Sequence, residues 1–322
     1  MANMNRNSAS RWWAVAVLAA ASCKMPAPDP NDPSTAPPPE MRVELRIAAG
    51  LPLVEGRLPG DVRAWFLIDT GAGNFTLFDQ QLSSGLGLKH ELVRDPLMPS
   101  IHFKAQVPFL EVDGMGRRDF TAYVADGLSD RPEFAGLGVP VSGVLGTGWF
   151  RGKCLWFDWK KGEFTAERAR RRLSRHITLP LRFGVAGGLH CTVRLNGIAC
   201  EALLDTGSAE TLVPRELADR LELRYDAEKL APHRPTAVGE GAVRDGSLER
   251  LALGTAELTA LPVLIVERRI PNADLVIGTD VLSRFGVILD LADPAYLVLD
   301  PEEGAAPPEA HAPLPAGPGG AP

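Results

Sequence analysis

This sequence predicts two similar, mostly β lobes, related by a pseudo-twofold axis with a cleft between them. Three observations carry that prediction. Asp-Thr-Gly occurs twice, at Asp69-Thr70-Gly71 and Asp205-Thr206-Gly207. Each copy is followed by two apolar residues and a glycine, Val144-Leu145-Gly146 and Val276-Ile277-Gly278, with aspartate-to-glycine separations of 77 and 73 positions. Between its glycines and prolines, the chain reads as short apolar runs of strand length. A supersecondary unit repeated at this distance means two copies of one lobe.

The flanks of the triplets repeat too. Residues 65–68 (Trp-Phe-Leu-Ile) and 201–204 (Glu-Ala-Leu-Leu) suit a buried strand that ends in a turn. Leu82 and Leu88 match Leu217 and Leu223, and residues 147–158 and 279–290 each span twelve positions and end in an apolar strand. Strands are predicted over 43–47, 62–68, 105–112, 120–124 and 155–159 in the first half. In the second half they are predicted over 191–195, 198–204, 248–253, 261–266, 286–290 and 296–299. Short helices are predicted over 215–221 and 280–285, with a weaker counterpart near 79–82.

With 322 residues, 45% of them apolar, the chain can build two cores of ordinary domain size, set here at residues 41–172 and 173–300. A net charge of −6 without long acidic runs argues against a nucleic acid partner. The basic stretch 168–175 reads as a solvated connection between the halves. Residues 1–23 read as a signal peptide: Arg6 and Arg11 precede an apolar run at 12–21 that is too short for a permanent membrane helix. Ala20-Ala21-Ser22-Cys23 resembles a bacterial lipoprotein box, which makes Cys23 a candidate for lipidation and that anchor the one expected membrane contact. The box departs from its usual pattern at Ala20, where leucine is customary, and ordinary cleavage after Ala21 is the alternative. Residues 24–40 form a proline-rich linker and 301–322 a disordered tail of proline, alanine and glycine. Together these features predict export to a bacterial periplasm or cell envelope.

Cys154, Cys191 and Cys200 remain, and an odd number leaves at least one unpaired. Cys191 and Cys200 flank Asn196-Gly197, a two-residue hairpin signal. A tight hairpin sets Cys200 opposite Val193, so a disulfide to Cys191 requires a bulge, and buried free thiols are the simpler expectation.

The chemistry follows from the paired triplets. Two carboxyl groups in contact cannot both ionise easily, so one keeps a proton and the pair titrates as a unit. The charged member can then take a proton from water while the protonated member donates to a carbonyl oxygen. Asp69 and Asp205 are the candidate catalytic pair. Gly71 and Gly207 permit close backbone approach, and Thr70 and Thr206 are placed to hydrogen-bond across to the opposite turn. Gly146 and Gly278, with their apolar neighbours, are placed to pack beneath the turns. Ser208 offers a hydroxyl where the first copy has Ala72, which makes Asp205 the expected ionised member. The first loop, Ala72-Gly73-Asn74-Phe75-Thr76, is one residue longer than Ser208-Ala209-Glu210-Thr211, and its geometry stays open.

On these residues the chain resembles the retropepsin-like aspartic proteases, the retroviral proteases and their bacterial relatives. Residues 201–207 (Glu-Ala-Leu-Leu-Asp-Thr-Gly) and 277–286 (Ile-Gly-Thr-Asp-Val-Leu-Ser-Arg-Phe-Gly) carry the likeness most strongly, and it extends over residues 41–300. The resemblance implies two acid-protease lobes in one chain, catalytic Asp69 and Asp205, and an aspartic endopeptidase acting on peptide or protein substrates. It also implies a monomer, no cofactor and no metal. Hairpin flaps are implied over 235–246, with Gly239 and Gly241, and over 94–104, stiffened by Pro96 and Pro99. A catalytically inactive peptide-binding or envelope scaffold module of the same fold is the alternative. It would be expected to carry a damaged triplet, and both triplets are intact. The six histidines are scattered, and no His-Glu-x-x-His, paired Cys-x-x-Cys or Gly-x-Ser-x-Gly motif points to another hydrolase.

Overall fold

The two strands that lead to the aspartates, Val62–Ile68 and Ile198–Leu204, begin with two exposed residues and end with three buried ones. An outer end in water and an inner end apolar on both faces drive each strand into the middle of a sheet. Each pairs in parallel with the strand of the later apolar motif. Ile68 stands opposite Leu145 in Val141–Leu145, and Leu204 opposite Ile277 in Leu275–Ile277.

The computed structural model describes residues 41–94, 101–131, 134, 137–167, 176–226, 231–236 and 239–301. The predicted signal peptide with Cys23, the linker 24–40, the basic stretch 168–175 and the tail 302–322 lie outside the described residues.

The strand order of the first lobe is Arg46–Ala48, Leu51–Leu58, Val62–Ile68, Val141–Leu145, Thr76–Asp79, Met115–Ala125, Phe103–Val112, His90–Leu92. The second lobe repeats it as Arg182–Phe183, Leu189–Leu195, Ile198–Leu204, Leu275–Ile277, Leu212–Pro214, Ala256–Val266, Gly239–Leu253, Arg224–Tyr225. Each sheet closes on itself through one further pairing, Leu51–Leu58 with Phe103–Val112 and Leu189–Leu195 with Gly239–Leu253. Ala231–Thr236, which pairs with Gly239–Leu253, has no counterpart in the first lobe among the described residues. The fold is mostly β, with two retropepsin-like lobes. The helices are short, Gln80–Gly85, Arg215–Arg220 and Thr279–Leu282, and fall where the sequence places them.

A third sheet of six strands joins the lobes, in the order Met41–Glu44, Glu163–Glu167, Cys154–Asp158, Gly286–Asp290, Tyr296–Asp300, Ile177–Pro180. Three strands come from each lobe, and the pseudo-twofold axis passes between Cys154–Asp158 and Gly286–Asp290, with Leu155 opposite Leu289 and Phe157 opposite Val287. One face of this sheet, through Leu155, Phe157, Phe164, Val287, Leu289, Leu297 and Leu299, belongs to the main core that runs through both lobes.

Some expectations shift. The single strand predicted over 43–47 divides at Leu45, whose N–H binds Gly162 O (2.7 Å), so that Met41–Glu44 joins the interlobe sheet and Arg46–Ala48 the first lobe. Leu51–Leu58 is a strand the sequence hides behind Pro52 and Gly56. Gly56 is there because a Cβ would lie 2.6 Å from Leu110 and 2.8 Å from Phe66. The hairpin at Asn196-Gly197 forms as read: Val193 stands opposite Cys200 and Cys191 opposite Ala202, and Cys191 and Cys200 are buried free thiols.

Because the interlobe sheet feeds one shared core, the lobes should unfold together. Phe157→Ala removes a fully buried ring that stacks on Trp159 (5.2 Å), and should cost about 3–5 kcal/mol. Denaturant unfolding should show a single transition moved to lower midpoint. Two transitions, only one of them moved, would contradict a shared core.

Candidate active site

The sheets carry both triplets to the junction of the lobes. Asp69 N–H binds Leu145 O and Asp205 N–H binds Ile277 O, each at 3.0 Å, so the strand under each turn fixes where its aspartate begins. The threonines lock the turns to each other. Thr70 Oγ1 donates to Leu204 O (2.7 Å) and accepts from Thr206 N–H (3.0 Å). Thr206 Oγ1 donates to Ile68 O (2.7 Å) and accepts from Thr70 N–H (3.1 Å). Both threonines are buried, so each hydroxyl satisfies a donor and an acceptor of the other lobe that water does not reach.

The lock brings the carboxyls together. A Cβ on Gly71 would stand 2.5 Å from the Asp205 carboxyl carbon, and one on Gly207 would overlap the Asp69 carboxyl just as badly. Each acid therefore lies across the glycine of the other turn, in space that any side chain would fill. Beneath the turns, a Cβ on Gly146 would strike the carbonyls of Gly73 and Phe75, and one on Gly278 those of Glu210 and Ser208. All the residues predicted to support the dyad meet here, with one role changed.

That change concerns Ser208. Its hydroxyl donates to Glu210 O (2.7 Å), a carbonyl two residues on, and gives Asp205 no proton. Backbone groups solvate the acids instead: Ala72 N–H binds Asp69 Oδ1 (2.9 Å) and Gly207 N–H binds Asp205 Oδ1 (2.8 Å). Burial, then the charge of Asp69 and its hydrogen bond, holds Asp205 well above the usual carboxylate range. Burial raises Asp69 too, but the hydrogen bond from Asp205, the N–H groups of Ala72 and Gly71 and the charge of Arg131 work against it. Burial thus raises both acids, and the hydroxyl on which Asp205 was expected to rely is bound elsewhere.

Residues 191–284, nearly the whole of the second lobe, match the family model described as gag-polyprotein putative aspartyl protease. The matched segment carries Asp205-Thr206-Gly207 and Val276-Ile277-Gly278. The first lobe, outside the match, repeats the strand order of the second. Among solved structures the chain is similar to a retropepsin-like aspartic protease from Rickettsia conorii (17% identity, 41% of this chain and 96% of that one, TM-score 0.32). It is also similar to basic 7S globulin from soybean (10%, 81% and 94%, TM-score 0.47) and to conglutin gamma, a basic 7S globulin from lupine seeds (11%, 82% and 95%, TM-score 0.48). No curated protein matches the sequence.

In this retropepsin-like pair of lobes, antiparallel strand pairs flank both places where flaps are expected. In the second lobe Gly239 stands opposite Thr236 and Gly241 opposite Arg234, with residues 237–238 outside the described residues. In the first, Val93 N–H binds His102 O (2.9 Å), and residues 95–100 lie outside the described residues.

The sequence reading assigned no role to Thr211 or Asp280. The Asp280 carboxylate accepts from Thr211 N–H (3.0 Å), Thr211 Oγ1 (2.8 Å) and Val281 N–H (2.9 Å), tying the loop after Asp205 to the helix after Gly278. The signal was present in the repeat, since Asp280 stands where the first lobe has Gly148.

Two outcomes test this geometry. Thr206→Val leaves Ile68 O and Thr70 N–H without buried partners and should cost about 2–4 kcal/mol in denaturant unfolding; a loss under about 0.5 kcal/mol would mean the lock is idle. For Asp280, burial outweighs the three donors and pushes the group up to about 6, above the 3.8 of an exposed aspartate. The folded state therefore holds this proton more tightly, and the contribution present below pH 3.8 is lost as pH rises through about 6. Asp280→Asn should remove that fall, so the stability of the parent relative to the variant should decline across this window and level above it.

Proposed function

We propose that this protein is an aspartic endopeptidase that hydrolyses peptide bonds with water activated between Asp69 and Asp205. The observation that carries the reading is the pair of carboxyls, each lying across the glycine of the other turn, where burial raises both. In the forward step Asp69 removes a proton from water as the oxygen attacks the peptide carbonyl carbon, and Asp205 gives its proton to the carbonyl oxygen. The resulting gem-diol has both acids beside it in exchanged protonation states. Collapse returns a hydroxyl proton to Asp205, the proton on Asp69 passes to the amine nitrogen, and the C–N bond breaks. The pair ends as it began. Each acid is thus used once as donor and once as acceptor, and the N–H groups of Ala72 and Gly207 hold the carboxyls in place throughout.

Substrate would lie extended along the cleft beneath the flaps that the resemblance implies over 235–246, with Gly239 and Gly241, and over 94–104. Both acids belong to one chain, so a monomer suffices. The expected signal peptide, the likeness of residues 20–23 to a lipoprotein box and the proline-rich linker support placement in a bacterial periplasm or cell envelope, either tethered by lipid at Cys23 or released by ordinary cleavage after Ala21.

The pH dependence follows from the shared proton. At low pH both acids are protonated and no base remains; at high pH both are ionised and no acid remains. Because both groups are raised, kcat/KM for a peptide should be bell-shaped, with its acidic limb above the ordinary aspartate range near pH 4. Asp69→Asn and Asp205→Asn should each lower kcat by about 100- to 10,000-fold, assayed on a mixed peptide library. A folded parent that cuts nothing, or either variant cutting at the parental rate, would overturn the assignment.

A further inference from the structure

The extra residue in the first dyad loop has a use that the reaction scheme does not absorb. Gly148 N–H binds Gly73 O (3.0 Å) as Asp280 N–H binds Ala209 O (3.2 Å), which makes Gly73 and Ala209 equivalent and places the insertion at Asn74–Phe75. Against it lies a hairpin of the opposite lobe, residues 184–188, closed by Gly184 N–H to Gly188 O and Gly187 N–H to Gly184 O, both 2.8 Å. Two hydrogen bonds of 2.7 Å cross the lobe boundary there, from Asn74 N–H to Ala186 O and from Thr147 Oγ1 to Gly187 O. The fit is close. A Cβ on Gly187, whose φ is +86°, would fall onto the Asn74 side-chain amide, and one on Gly73 onto Ala186 O. A Cβ on Gly188 would come within 3.8 Å of Gly71 O, in the catalytic turn itself.

The twofold mate of this contact is built differently. Gly50, in the turn between Arg46–Ala48 and Leu51–Leu58, faces Thr279 and Ala209, but Thr279 Oγ1 donates to Ser208 O of its own lobe (3.3 Å). The threonine after the supporting glycine thus serves the lobe boundary on the Asp69 side and its own loop on the Asp205 side.

We propose that hairpin 184–188 is a latch from the second lobe that seats on the inserted residue of the first dyad loop and holds Ala72 N–H against Asp69, making Thr147 and Gly187 positioning residues for the reaction. The proposal rests on the dyad reading and extends it: the latch makes two nearly symmetric loops unequal, so that Asp69 starts as the base. Releasing the latch lets the Ala72 N–H drift from the carboxylate, and a carboxylate that loses a donor is harder to ionise.

Thr147→Val keeps the shape of the side chain and removes the hydroxyl; Thr147→Ser restores it. In the full chain, Thr147→Val should move the acidic limb of kcat/KM upward by about 0.5 to 1 pH unit with little change in KM, Gly187→Ala should move it the same way, and Thr147→Ser should return it. A limb that stays in place in folded Thr147→Val, or one that moves equally in Thr147→Ser, would overturn the latch. A parent that cuts no peptide would instead defeat the proposed function, and the latch would still be read from the amide proton of Ala72. Its NMR shift should follow the titration of Asp69 in the parent and lose most of that response in Thr147→Val; an undiminished response would overturn the latch by this route.

Discussion

Two carboxyl groups held in contact repel each other when both are charged and are costly to bury when either is. The rest of this structure exists to hold them there. The force that does so is local: four hydrogen bonds between Thr70, Thr206 and the backbone of the opposite turn, in a region water does not enter. Breaking them would strand buried donors and acceptors on both lobes at once, so separating the acids costs more than their repulsion returns. The six-stranded sheet acts at longer range, since three strands from each lobe fix the distance over which the threonines must reach. Gly71 and Gly207 complete the arrangement by leaving empty the space the carboxyls occupy.

Symmetry sets up the dyad, and the proposed division of roles between the acids rests on its breaking. The strand order is the same in both lobes, yet each solves the support of its catalytic loop with different chemistry. The second lobe uses a carboxylate, Asp280, with three donors on it. The first has Gly148 there and takes its support from the other lobe through Thr147 and Asn74. Guanidinium groups show the same divergence: Arg284 Nε caps Asp280 O (3.0 Å) from just beyond the end of the same helix, while Arg117 caps Gly148 O (2.6 Å) from the distant strand Met115–Ala125. A duplicated lobe fused into one chain is free to diverge in this way, whereas two identical subunits would carry one solution twice.

The fold was legible where burial leaves a mark on composition. Val62–Ile68 and Ile198–Leu204 were found to the residue because apolar runs before Asp-Thr-Gly have one reading, and the Asn196-Gly197 turn set the register that keeps Cys191 and Cys200 apart. Leu51–Leu58 was missed because Pro52 and Gly56 look like breakers, although Gly56 is a strand residue that yields its space to Phe66 and Leu110. In the site, the residues were visible but one partner was not. Reading Ser208 as a donor to Asp205 assumed the hydroxyl would choose the charge, and it binds the nearer Glu210 carbonyl. The groups that do solvate the acids are backbone N–H groups, which every residue but proline carries and no sequence pattern distinguishes. The lobe-crossing contact of residues 184–188 was equally silent, since it joins Gly187 to Thr147, 40 positions away, and Ala186 to Asn74, more than a hundred away.

The central claim is that the two acids share one proton and that Asp205 holds it. The most direct measurement is a carboxyl carbon-13 NMR titration of the full chain with labelled aspartate, the two signals assigned with Asp69→Asn and Asp205→Asn. The account predicts that Asp69 ionises first and that Asp205 stays protonated far above the usual aspartate range, with its signal sensing the charge on Asp69. Independent titration of both acids near the ordinary value, or Asp205 ionising before Asp69, would contradict it.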